Sequence, residues 1–168
     1  MTNVTRWTVA MLTVTVSGMT TVAAQSNSGS IQATAVVQSP LNVTPVQNLD
    51  FGNVFPGVNA TVAVTDGTAG RLDVGGAAST LVNISFTALP TNLTNAGNNL
   101  PIGTYTGLVN TSATCTSASG SAFSPSAGTS ATLNASGGLC VFVGATVSPP
   151  TNLVAGNYTG TITMQVLY

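Results

Sequence analysis

The sequence predicts an all-β protein, with eight to ten short strands in a two-sheet antiparallel sandwich or a closed barrel. Three observations carry this. Apolar residues recur with a period of two along most of the chain. Thr and Val are plentiful, while Gly, Pro and Asn punctuate every break. Beyond the N-terminal segment, no window repeats with the 3.6-residue period of a helix.

The first element is not part of that pattern. "MTNVTRW" carries the amino terminus and Arg6, and the apolar stretch "TVAMLTVTVSGM" follows, then "TTVAAQ". Val22 and Ala24 suit the two small-residue positions of a cleavage site. Residues 1–24 therefore read as a secretory signal-peptide helix, with an apolar run too short to anchor in a bilayer. The expected mature chain, residues 25–168, is one exported domain of a size that builds a real core.

The strands follow in order. "IQATAVV" (31–37) places Ile31, Ala33, Ala35 and Val37 on one face. "LNVTPVQNLDFGNVF" (41–55) is strand-like but broken at Pro45 and Gly52. "ATVAVTD" (60–66) runs into Asp66-Gly67, a hairpin-turn pair, and "GRLDVGG" (70–76) is short. "TLVNISFTAL" (80–89) sets Val82, Ile84 and Phe86 against Asn83, Ser85 and Thr87. "PIGTYTGLV" (101–109) and "SATLNAS" (130–136) come next, and "LCVFVGATV" (139–147) is apolar on both faces, as a central strand must be. The chain closes with "GNYTGTITMQVLY" (156–168), whose alternation predicts a core strand with Tyr158, Ile162, Met164, Val166 and Tyr168 inward. Residues 110–138, nearly all Ser, Thr, Ala and Gly, read as a long surface loop or irregular hairpin.

Charge is almost absent. Once Arg6 leaves with the signal, Arg71, Asp50, Asp66 and Asp73 remain, with no Lys, Glu or His. A basic patch is impossible, which argues against nucleic acid and anionic headgroups as partners. A surface of Thr, Ser, Asn, Gln and Gly offers little repulsion between copies and favours self-association. The same shortage removes the usual general bases and the activators of a Ser or Thr nucleophile, so an enzyme is not expected, nor a cofactor or small-molecule substrate. Asp66 reads as a turn residue, Asp73 as a surface partner for Arg71, and Asp50 as part of a strand break. A calcium site from the three is a weaker reading, because no loop repeats acids at ligand spacing.

Cys115 and Cys140 are the two cysteines. In an exported chain an even pair predicts a disulfide. It would tie the start of the Ser/Thr-rich segment to the central strand.

"AVVQSPLNVTPVQNLDFGNVFPG" followed by "TVAV", then "LCVFVGATV" and "AGNYTGTITMQVLY", resembles the bacterial domain-of-unknown-function family numbered forty-four oh two. The carrying blocks are Val37 to Pro40, Leu49-Asp50-Phe51-Gly52, Val143-Gly144 and Gly156-x-Tyr158-x-Gly160. Its members look like small exported pilin-like β proteins, akin in style to spore-coat-protein-U and chaperone–usher pilins. The resemblance implies an immunoglobulin-like sandwich and a role as a surface or fimbria-like structural subunit. The Gly156 to Tyr168 spacing is similar to the final strand of chaperone–usher pilins, although there the Tyr is usually next to last. A periplasmic chaperone is thereby implied as a possible partner beside copies of the chain itself.

The expected function is an exported, non-enzymatic structural subunit that self-associates by β-strand addition. Residues 25–37, with Ile31, Ala33, Ala35 and Val37, would be the donor or an exchangeable strand. Two alternatives stand beside it. A sugar-binding adhesin would use Tyr105 and Tyr158. A small outer-membrane β-barrel would end on the alternating strand to Tyr168, but eight aromatics cannot furnish two girdles on such short strands.

Overall fold

The computed structural model describes residues 26–168; the signal-peptide reading of residues 1–24 lies outside them. The chain divides into two units, 1–35 and Val36–Tyr168. Of the first, the described residues 26–35 are exposed and form no strand.

The second unit is an antiparallel sandwich of ten strands and no helix among the described residues. The larger sheet runs β1 (Asn42–Gln47), β3 (Gly70–Gly75), β9 (Gly138–Val147), β6 (Asn98–Asn110) and β5 (Asn92–Asn95). Short β2 (Ala60–Val62) also pairs with β9, and β7 (Ser121–Phe123) pairs with β6. The smaller sheet holds β10 (Thr163–Leu167), β4 (Leu81–Ala88) and β8 (Thr129–Thr132) in that order. The sheets do not close into a barrel: β10 and β8 are both edges.

β9 is central because its sequence can be buried on both sides. Leu139, Val141 and Val143 face the space between the sheets, where Val82, Ile84, Leu133, Met164 and Val166 meet them. Cys140 and Phe142 face outward and pack with Leu108, Val64 and Cys115. Gly144 is the one position where β9 admits no side chain. A Cβ there would sit 2.8 Å from Thr106 Oγ1 and against the carbonyl of Val62.

β2 and β3 lie on the same side of β9, Val62 opposite Ala145 and Gly70 opposite Val143. Asp66-Gly67 therefore does not join a hairpin. It sits in an excursion within one interrupted strand, turned by Asp66 Oδ2 accepting from the Ala63 amide at 2.8 Å. Pro45 does not break β1, because β1 is an edge; the register slips between Pro45 and Gln47 instead. The 110–138 segment is not all loop, since it contains β7 and β8. The sequence reading lacks β5, a hairpin partner of β6 turned by Ala96 (φ 46°) and Gly97 (φ 87°).

The last strand is shorter than its alternation predicts. Met164 and Val166 are buried and Ile162 packs on the same core. Tyr158 lies before the strand, half-buried in a second cluster around Leu100, Ile102, Ala145 and Val147. Tyr168 does not point inward but is 44% exposed. Residues 156–162 instead cross from β5, which they touch through two backbone hydrogen bonds between Thr159 and Thr94, to the smaller sheet. Two glycines permit the crossing. A Cβ on Gly156 would overlap the Asn95 side chain, and one on Gly160 would lie 2.7 Å from Leu93.

Candidate functional site: an open side of the sandwich

The predicted chemistry is used up locally. Asp50 Oδ1 accepts from the Gly52 amide at 2.8 Å, which fixes the Leu49-Asp50-Phe51-Gly52 turn. Arg71 Nε and Nη2 donate to the two oxygens of Asp73 at 2.7 and 2.8 Å, and its guanidinium lies 5.8 Å from the Phe142 ring. That hydrogen bond holds the Arg71 pKa above its ordinary value. The structure does not bring the three aspartates together. Among the described residues the one cluster of three potential ligands joins Asp73 to Cys115 and Cys140. The disulfide takes both of those thiols.

The Cys115–Cys140 disulfide forms as predicted, with 5.8 Å between the Cα atoms. It clamps the loop after β6 over the outward face of β9 and covers Phe142 and Leu108. Asn110 is buried behind it, donating to Thr116 O at 2.6 Å and accepting from the Ser112 amide at 2.7 Å.

The aromatics named for sugar contact also have internal work. Tyr105 donates to Pro90 O at 2.6 Å, and its burial pushes its pKa up to about 12. Tyr158 donates to Val154 O at 2.7 Å.

What the fold leaves unfinished is one side. β1 and β10 are the two edges there, one on each sheet, and β10 has no strand on its outer side among the described residues. β1 leaves its sheet at Gln47, opposite Arg71 and only midway along β9. Beyond that point lies a groove of about 560 Å³. One stretch of its lining is Pro45 to Val54, the other Gly156 to Ile162. The core residues Leu100, Ile102 and Val143 line it as well, all under 8% exposed. Core side chains thus face an open groove, and the unpaired ladder edge of β10 follows the lining stretch 156–162.

The site residues from the leading segment stand apart. Residues 26–41 form no strand, and no ladder among the described residues includes them. Ile31 is 97%, Val36 90% and Val37 95% exposed. Alternation alone does not make a strand: a segment whose amides bond to no ladder has nothing to hold it extended. The groove itself had no sequence signal, because it is built from stretches more than a hundred residues apart.

A family model described as "Domain of unknown function (DUF4402)" matches residues 41–168. The match begins just after the exposed leading segment and takes in the whole sandwich. No curated protein and no solved structure matches.

Proposed function

We propose that this chain, which belongs to the DUF4402 family, is an exported, non-enzymatic structural subunit that assembles with copies of itself by β-strand addition. The observation that carries the reading is a complementary pair on one chain. Residues 31–37 present an alternating apolar row that pairs with nothing described, and β10 presents a bare edge beside a groove lined with core residues. Strand addition satisfies the edge amides and buries the row together.

The nearly charge-free surface supports the same reading. Natural edge strands are usually guarded by charge, and β10, "TMQVL", and β8, "TSAT", carry none. The groove falls within the size range of small-ligand pockets. Yet its two charged lining residues are committed, Asp50 to its own turn and Arg71 to Asp73. Neither charged side chain is therefore free to fix a ligand, and the polar lining that remains is neutral, Asn48, Asn157, Thr159 and Thr161 among it.

The test compares the full chain with one lacking residues 26–37, by size-exclusion chromatography and negative-stain microscopy. The full chain assembles and the deletion stays monomeric. A full chain that stays monomeric at high concentration overturns the reading.

A further inference from the structure

The two sulfurs of the disulfide stand in unlike surroundings. Cys140 is fully buried, and the register sets it opposite Asp73 on β3 and Asn110 on β6. Arg71 lies two residues before Asp73 on the same strand face. Its Nη2 donates to Asp73 Oδ2 at 2.8 Å and points to Cys140 Sγ at 3.9 Å. One N–H of that nitrogen serves the carboxylate and the other is left for the sulfur. The Asp73 carboxylate also lies within 4.8 Å of both sulfurs, and β6 and β9 add no further charge. Cys115, by contrast, sits on the loop after β6, partly exposed, between the exposed Thr114 and Thr116.

A thiolate opens a disulfide by attacking one sulfur, and the other sulfur leaves as a thiolate. Attack at Cys140 has no approach, because solvent does not reach that residue. Attack at Cys115 comes from the loop side. The charge it releases then falls on Cys140, where the guanidinium waits. We infer that Cys115 is a thiol-exchange site: a low-molecular-weight thiol attacks Cys115 Sγ, and Cys140 Sγ leaves as a thiolate stabilised by Arg71.

The incoming thiolate forms a bond to Cys115 Sγ, the Cys115–Cys140 bond breaks, and its electron pair stays on Cys140. A second thiol attacks the sulfur of the first, which releases Cys115 as a thiolate and joins the two small thiols as a disulfide. The protein gains two electrons, and the two small thiols lose them. Run backwards, the same path closes the bond, with Cys140 as the nucleophile on a mixed disulfide at Cys115. Asp73 works against a thiolate at Cys140, and the Nη2 it shares with the sulfur offsets that charge. The sheets can stay in place throughout, since Cys140 is laddered to β3 on one side and β6 on the other. What reduction frees is the loop that covers Leu108 and Phe142.

The test exposes the folded full chain to reduced glutathione, quenches in acid, and labels free thiols with a maleimide under denaturing conditions. Chymotryptic mass mapping then reads each sulfur, because Phe123 lies between the two cysteines. Singly adducted chains carry glutathione on Cys115 and maleimide on Cys140. Reduction rates give a second readout. Arg71→Gln slows reduction about fivefold, the worth of one hydrogen bond to a charged leaving group. Arg71→Lys, which keeps the charge, stays near the parent rate. A merely structural Arg71 predicts the opposite sign, since a loosened loop is reduced faster. Glutathione on Cys140, or an Arg71→Gln rate equal to or above the parent's, overturns the inference. The mapping uses the parent chain and stands whether or not Arg71→Gln folds.

Discussion

The hydroxyl of Tyr168 donates to the backbone carbonyl of Ser39, joining the last residue of the chain to the approach of its first strand. The same oxygen accepts from the Ala77 amide at 2.9 Å. The terminal aromatic is thus a staple at one pole and not a core residue. It holds the backbone at Ser39, three residues before β1 begins.

Tyr168→Phe removes both hydrogen bonds while keeping the ring. The site is 44% exposed, so water replaces part of what is lost. The expected cost is about 1 kcal/mol, or a fall in Tm of roughly 4 °C for a domain of this size. Thermal melts of the chain lacking residues 26–37 measure it without interference from assembly.

The disulfide closes 25 residues of chain. Replacing both Cys115 and Cys140 by Ala should cost about 3.5 kcal/mol in the chain-entropy model. Urea unfolding of the double variant, beside the parent with and without reductant, checks this. Reduced parent and double variant should agree.

Gly144 and Gly103 make a matched pair. A Cβ at Gly144 meets Thr106 Oγ1 at 2.8 Å and the Val62 carbonyl, while one at Gly103 has nothing within 4 Å. Gly144→Ala should destabilise by roughly 1–3 kcal/mol through overpacking. Gly103→Ala should change stability by well under 1 kcal/mol. Denaturation midpoints of the two variants decide it.

Tyr105 gives the fold an alkaline limit. Burial raises its pKa to about 12 from an ordinary 10.0, so the folded state holds the proton more tightly than the unfolded chain. The contribution is complete below pH 10 and is lost as pH rises toward 12. Tyr105→Phe should unfold less steeply with pH over that window. Denaturation midpoints measured from pH 8 to 12 on both proteins show the difference.

How much of this was legible in the sequence depended on where each residue's partners lie. β9 was legible because a strand buried on both faces must be apolar on both, and "LCVFVGATV" is polar only at the half-buried Thr146. The disulfide was legible because two cysteines leave one pairing. β5 was not: "NLTN" has one apolar residue, and its turn places Ala96 at positive φ where Asn or Gly is expected. Tyr158 and Tyr168 fitted the alternation of the last strand, but the chain enters that strand by crossing between sheets and leaves it at Leu167. "IQATAVV" alternates as cleanly as β10, yet only β10 has a neighbour to bond. Pattern fixes which face a strand would bury; it does not supply the partner.

The most direct test of strand addition separates donor from acceptor. A synthetic peptide of residues 30–38 is added to the chain lacking residues 26–37, and the Tm of the sandwich is followed as the peptide is titrated. The account predicts a saturable rise in Tm, as for any ligand that binds only the folded state, and none with a peptide of the same composition in scrambled order. An unchanged Tm at millimolar peptide, with the full chain still assembling, would contradict it.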